Sequence, residues 1–137
     1  MAQPWVTTVT VDDVKFNALH VGVGLTTLAH HAGRPTMGSL HMSIDVSADL
    51  HDTQNLPFAD LKKLFTLAKL VTKDKVKDIK IEYWADDSHQ DAICVFTFQG
   101  WISHFQVLSG EGGNHMLALS LQPTLNADNF TDIDMSN

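Results

Sequence analysis

Apolar and polar positions alternate along most of this chain, in blocks separated by glycine, proline or acidic pairs. Trp5 to Val11 alternates β-branched and apolar residues and stops at Asp12-Asp13, a turn signal. Val14 to Leu28 continues the strand character, with Val21, Val23 and Leu25 on one face and Gly22 and Gly24 on the other, where a neighbouring backbone has room to approach. His30 to Gly38 reads as a loop punctuated by Gly33 and Pro35. Leu40, Met42, Ile44 and Val46 then recur at period two, against a polar face of His41, Ser43, Asp45 and Ser47. This strand is expected to turn one face to a core and one to water.

The period changes once. Leu61, Leu64, Phe65 and Ala68 fall at helical spacing, with Lys62, Lys63 and Lys69 outside, and predict a helix over residues 57–70. Pro57 suits its first turn and Asn55 is the candidate N-cap. Alternation then resumes. Val76 to Asp86 sets Ile79, Ile81 and Tyr83 on one face, Asp87 to Gln90 is a turn, and Ala92 to Leu108 is a long apolar strand. In that long strand Cys94, Phe96 and Phe98 share a face, and Gly100 marks a bulge or bend. Ser109 to Asn114 is a glycine-rich connection, and Met116 to Gln122 is the last strand.

Strands, one helix, then strands, with no βαβ alternation, predict a mainly β fold: an antiparallel β-barrel or sandwich with one flanking α-helix. The expected organisation is a single domain over residues 1–125, with an acidic, flexible tail over 126–137 that carries Asp128, Asp132 and Asp134.

Composition narrows the function classes. A hydrophobic fraction of 44% and a charged fraction of 18% suit a folded domain. The net charge is −7, and Lys73, Lys75, Lys77 and Lys80 are interleaved with Asp74, Asp78 and Glu82, which reads as a solvated strand edge. No nucleic-acid partner is expected. No apolar run is long enough to cross a bilayer, so direct membrane insertion is not expected either. The opening residues lack the marks of a secretory signal, and the single cysteine, Cys94, offers no internal disulfide. The chain is expected to be made in the cytoplasm and, if exported, to leave by a route needing no cleaved signal.

The candidate chemistry is thin. The eight histidines, His20, His30, His31, His41, His51, His89, His104 and His115, show neither an i, i+4 pair nor a His-x-His strand motif. Cys94 sits among aromatics, where a thiol is ordinary packing. Asp12-Asp13 and Asp86-Asp87 lie at turns, where aspartate is favoured for local hydrogen bonding. The glycines of residues 109–114 precede no helix and make no phosphate cradle. No catalytic residue, metal ligand or cofactor site is assigned, and the chain is not expected to be an enzyme. Trp84 falls beside Lys80 and Glu82, opposite Ile79, Ile81 and Tyr83, and is expected to be exposed. An exposed tryptophan on a strand is either ordinary surface or a contact anchor, so Trp84 is the candidate subunit-contact aromatic.

In order, VDDVKFNALHVGVGLTTLAHHAGRP, MGSLHMSIDVSADL, the helix FADLKKLFTLAKL, VKDIKIEYW and FTFQGWISHFQVLSGEGGNHMLALSLQP match one pattern. The chain resembles the hemolysin-coregulated protein (Hcp) family, the tube subunits of type VI secretion systems, and is similar to its short form. Gly33-Arg34-Pro35 is the most particular local element of the match. Longer family members open with an apolar strand and a glycine-rich turn. Here the first turn is acidic, and the tail after Pro123 has no matching motif.

The resemblance implies a β-barrel with one helix, self-assembled into hexameric rings that stack head to tail into a tube. It implies contractile sheath, baseplate and spike proteins and secreted effectors as partners, and related phage tail tubes share the plan. It also makes Gly33, Arg34 and Pro35 the candidate inter-ring loop. Two other readings fit the same residues. A small-ligand-binding β-barrel, a carrier or sensor, predicts an internal apolar cavity, and a metal-dependent enzyme predicts stoichiometric metal.

Overall fold

The first hairpin joins β1 (Thr7–Val11) to β2 (Val14–Asn17) through Asp12 and Asp13, with Val11 opposite Val14. Asp12 takes a left-handed backbone, φ 56°, which a short polar side chain tolerates and which suits a two-residue hairpin turn. This computed structural model describes residues 6–29, 35–69, 76–110, 115–124 and 133–136. Trp5, His30, His31, Gly33, Arg34, Lys73, Lys75, Asp128 and Asp132 lie outside the described residues, as does most of the glycine-rich connection after Gly110.

After β3 (His20–Ala29) and β4 (Pro35–Asp49) come α1 (Phe58–Lys69), β5 (Lys77–Trp84) and β6 (Ala92–Ser109). β7 (His115–Pro123) and β8 (Asp134–Ser136) complete the order. The strands pair antiparallel in the sequence β2-β1-β5-β6-β7-β4-β3, and β8 pairs with β6. At 18 residues β6 serves both halves of the sheet: residues 92–100 pair with β5, and 100–109 with β7. The two ends of the path, β2 and β3, are joined by Ala18 and Leu19 alone. The Ala18 N–H donates to the Thr7 carbonyl at 2.9 Å and the Leu19 N–H to that of Ser47 at 2.8 Å. A two-residue span forces the ends together, so the sheet curls on itself around one core. The expected mainly β, antiparallel fold with one flanking helix is the fold observed.

Alternation fills that core as the sequence requires. Val9 and Val11, Phe16, Met42 with Ile44 and Val46, Ile79 with Ile81, Phe98 and Ile102 all turn inward and are buried, as are Leu117, Leu119 and Leu121 of β7. Each such side chain contributes roughly 1.5–3 kcal/mol by leaving water. Opposite them on β4, Asp45 stays exposed and accepts from the hydroxyls of Ser43 at 3.2 Å and Ser120 at 2.9 Å.

Several local expectations change. The strand expected across Val14 to Leu28 breaks at Ala18 and Leu19, where the chain passes from one end of the sheet path to the other. β5 is not a solvated edge: it lies between β1 and β6, and Glu82 is only 8% exposed. The early β1 hairpin docks there across some seventy residues of chain, a pairing invisible to local pattern. Gly22 and Gly24 do not mark a tight approach, since a Cβ at either would find its nearest neighbour at 3.7 or 3.8 Å. The tight glycine is Gly100, where a Cβ would stand 2.4 Å from the Gln122 carbonyl oxygen. The irregularity in β6 falls between Ile102 and His104, just beyond it. Of the expected loop over residues 30–38, Pro35 to Gly38 belong to β4, which begins opposite Ala29. A strand start suits proline, which has no N–H to give a ladder. The far end of the tail returns to the sheet, with Asp134 opposite Thr97 and Ser136 opposite Val95.

The helix covers almost the expected span, though Asn55 is not its cap. The Pro57 carbonyl accepts from the N–H groups of Asp60 and Leu61, both at 3.0 Å, and so opens the helix. Asn55 bridges to β2 instead. Its Oδ1 accepts from the Asn17 N–H at 2.7 Å, and its Nδ2 donates to the Asn17 carbonyl at 2.8 Å. Asp52 holds the preceding turn by accepting from the N–H groups of Gln54 and Asn55.

Candidate assembly surfaces

Three surfaces stand out once the fold is in place. The first is the hairpin of β3 and β4. Only residues 44–49 of β4 pair with β7, whereas the β3–β4 ladder runs on past Leu25–Met42 to Ala29–Pro35. Burial falls along β3 from Val21 through half-buried Val23 to Leu25, which is 60% exposed. Beyond the core the hairpin is thus a two-stranded arm. Such a ribbon alone is marginal in water and gains from a third surface against it. Pro35 stands at the start of its returning strand, while Gly33 and Arg34 lie outside the described residues.

The second surface is the end of β5. Trp84 is half-buried and partnered rather than exposed. Its ring stacks on His89 with centroids 5.0 Å apart and planes 5° apart, and its Nε1–H donates to the Thr8 hydroxyl at 3.0 Å. Thr8 in turn donates to Asn17 Oδ1 at 2.9 Å. A register shift between Tyr83 and Trp84 displaces the indole from simple alternation, and the left-handed backbone at His89 (φ 58°) turns the loop over it. Neither the shift nor the positive φ is legible in a period-two pattern.

The third is the seam where α1 lies against the second half of β6. Leu64, fully buried, anchors the helix, and Leu61, Leu67 and Ala68 pack partly against the core. Phe65 was expected to share that inward face but is 48% exposed. One residue step rotates a helix by about 100°, which carries Phe65 off the Leu64 face toward the seam. There its ring meets Phe105 edge-on, centroids 5.5 Å apart, with Lys69 Nζ 5.5 Å from the Phe65 centroid. Phe65 and Phe105, together with Leu61, Val107 and Phe58, the last 74% exposed, border an apolar cleft of about 410 Å³ edged by Lys62.

The chemistry-bearing residues remain scattered. Among the described residues no three of His, Cys, Asp and Glu are placed to hold a metal. The tertiary structure does bring together two histidines that are far apart in sequence. His51 and His115 stack with centroids 5.0 Å apart, and the His115 N–H donates to His51 Nε2 at 3.2 Å. Cys94 is half-buried opposite Tyr83. At the acidic turns, Asp13 pairs with Lys63 at 3.1 Å, and that bond and charge lower the Asp13 pKa and raise that of Lys63. Asp86 accepts from both the hydroxyl and the N–H of Ser88, which lowers its pKa and keeps it a carboxylate. These are turn and tether roles. Phe16, Ile44, Ile79, Ile102 and the β7 leucines fill the interior where a ligand-binding barrel would keep its chamber.

No protein-family model matches the chain, and no curated protein sequence matches it. Solved structures do. Hcp1 from Flavobacterium johnsoniae superposes with a TM-score of 0.64 at 13% identity, over 96% of this chain and 94% of that one. An Hcp protein crystal structure gives 0.64 at 9% identity over 99% of both chains. A doubly substituted Hcp1 from the E. coli EAEC 042 pathovar gives 0.62 at 9% identity, over 96% and 97%. The fold is Hcp-like over nearly its whole length.

Proposed function

We propose that this chain is the tube subunit of a type VI secretion system or a related contractile injection machine, with a structural rather than a catalytic role. The observation that carries this reading is the Hcp-like fold shared over 99% of both chains with a solved Hcp protein. Copies close into hexameric rings, the rings stack head to tail, and the tube carries and propels effectors inside a contractile sheath, behind a spike and above a baseplate. The subunit is made in the cytoplasm and leaves through the machine itself. The β3–β4 arm supports the same reading. A ribbon that outruns its own core gains stability when a neighbouring copy covers it, and Gly33-Arg34-Pro35 then sits where one ring meets the next.

Negative-stain microscopy and light scattering of the purified chain test this reading directly. Ring-shaped oligomers are the expected result. A species that remains strictly monomeric at high concentration overturns it.

A further inference from the structure

The α1–β6 seam pairs an apolar cleft with a basic rim, and the rim restricts what can fill the cleft. Lys62 edges the cleft of Phe58, Phe65, Phe105 and Val107, and Lys69 lies over Phe65 at its other end. The helix holds three of the nine cations in a chain whose net charge is −7, and Asp60, its one acid, lines neither seam cleft. Docking seam against seam across a two-fold axis would set Lys62 and Lys69 against their own copies. Like charge at that range opposes an isologous contact.

A face of opposite character lies at the other end of β6. The turn from β5 carries Asp86, Asp87 and Asp91, all exposed, and Ile93 just after it is 62% exposed. Residues 85–110 contain neither lysine nor arginine. Ile93 and Phe105 belong to the same strand, twelve positions apart, an extended span of roughly 40 Å. A chain therefore cannot lay its own acidic turn on its own seam, whereas a neighbouring copy can.

We infer that the α1–β6 seam of one copy receives the β5–β6 turn of the next, with Ile93 against the apolar cleft and Asp87 and Asp91 facing Lys62 and Lys69. This inference rests on the tube-subunit reading and specifies the contact within a ring. Two different faces meet, so each copy offers one to each neighbour and the contact repeats until the rotation closes.

Charge reversal separates this contact from that reading. Two variants are prepared, Lys62→Glu with Lys69→Glu, and Asp87→Lys with Asp91→Lys, all at exposed positions. Thermal unfolding checks that each folds as the unmodified chain does, and sedimentation velocity reads assembly. The expected result is an oligomeric unmodified chain, loss of assembly in each variant alone, and recovery on mixing the two, because reversed seam then meets reversed turn. Variants that sediment like the unmodified chain overturn the contact and leave the tube reading standing. Loss of assembly without recovery on mixing overturns the pairing of these two faces. An unmodified chain that stays monomeric overturns both readings.

Discussion

The hydroxyl of Tyr83 on β5 donates to the backbone carbonyl of Val21 on β3 at 3.0 Å, a bond across 62 residues between strands that do not pair in the sheet. Its ring also meets Phe96 edge-on, with centroids 5.9 Å apart. The bond tethers an inner strand of the path to one of its ends and helps hold the curl closed.

Two outcomes are expected at this position. Tyr83→Phe keeps the ring contacts but orphans the Val21 carbonyl, and should lower stability by about 1 kcal/mol in urea unfolding. Burial first, and the charge of Cys94 second, raise the Tyr83 pKa above its ordinary 10.0. A raised folded-state pKa means the contribution is fully present below the unfolded value and is lost as pH rises through the folded one. Tyr83 is the only tyrosine in the chain, so tyrosinate absorbance reports it alone. The folded protein should titrate at higher pH than the urea-unfolded chain, and coincident curves would contradict the burial of the phenol.

Gly100 should not tolerate a side chain. A Cβ there would stand 2.4 Å from the Gln122 carbonyl oxygen and 2.9 Å from the ring of Phe98. Because the first obstacle is backbone, β7 must shift. Gly100→Ala is expected to cost about 2–3 kcal/mol, while Gly24→Ala, with its nearest neighbour at 3.8 Å, serves as the mild comparison. Chemical denaturation of the two variants measures the difference.

Asn55→Ala should destabilise through β2 rather than through the helix. It removes both bonds to the Asn17 backbone and leaves that pair without the side-chain amide. A loss of about 1–3 kcal/mol is expected. Asn55→Asp keeps the acceptor but turns a carboxylate toward the Asn17 carbonyl, so it should not rescue. If Asn55→Asp matched the original residue in unfolding experiments, a capping role would be the better account.

The Asp13–Lys63 pair should matter little at neutral pH, because both groups stand in water. The lowered Asp13 pKa places its contribution above the ordinary value of 3.8, and it is lost as pH falls through the lower folded-state value. Lys63→Gln should therefore produce a small drop in unfolding temperature at low ionic strength that vanishes in high salt. A large, salt-independent drop would show that Lys63 acts through packing instead.

Alternation alone placed the inward faces of β4 and β5, because a residue's side of a strand follows from counting by two, whatever the strand pairs with. The helix was equally legible, since Leu61, Leu64 and Ala68 repeat at its own period. The absence of a βαβ rhythm was enough to require an antiparallel fold. Pairing partners were a different matter. That β1 docks on β5, that β6 serves two halves of the sheet and that Asn55 reaches Asn17 are relations between distant segments, set by which faces can be buried together. Trp84 and Phe65 show the same limit from opposite sides. One looked exposed and is sheltered by a turn that folds back over it, and the other looked buried and is rotated out to the seam. The sequence by itself determined which residues seek the core. Only the tertiary structure decided which apolar residues the core had no room for, because a closed shell has one interior, and its capacity depends on every strand at once.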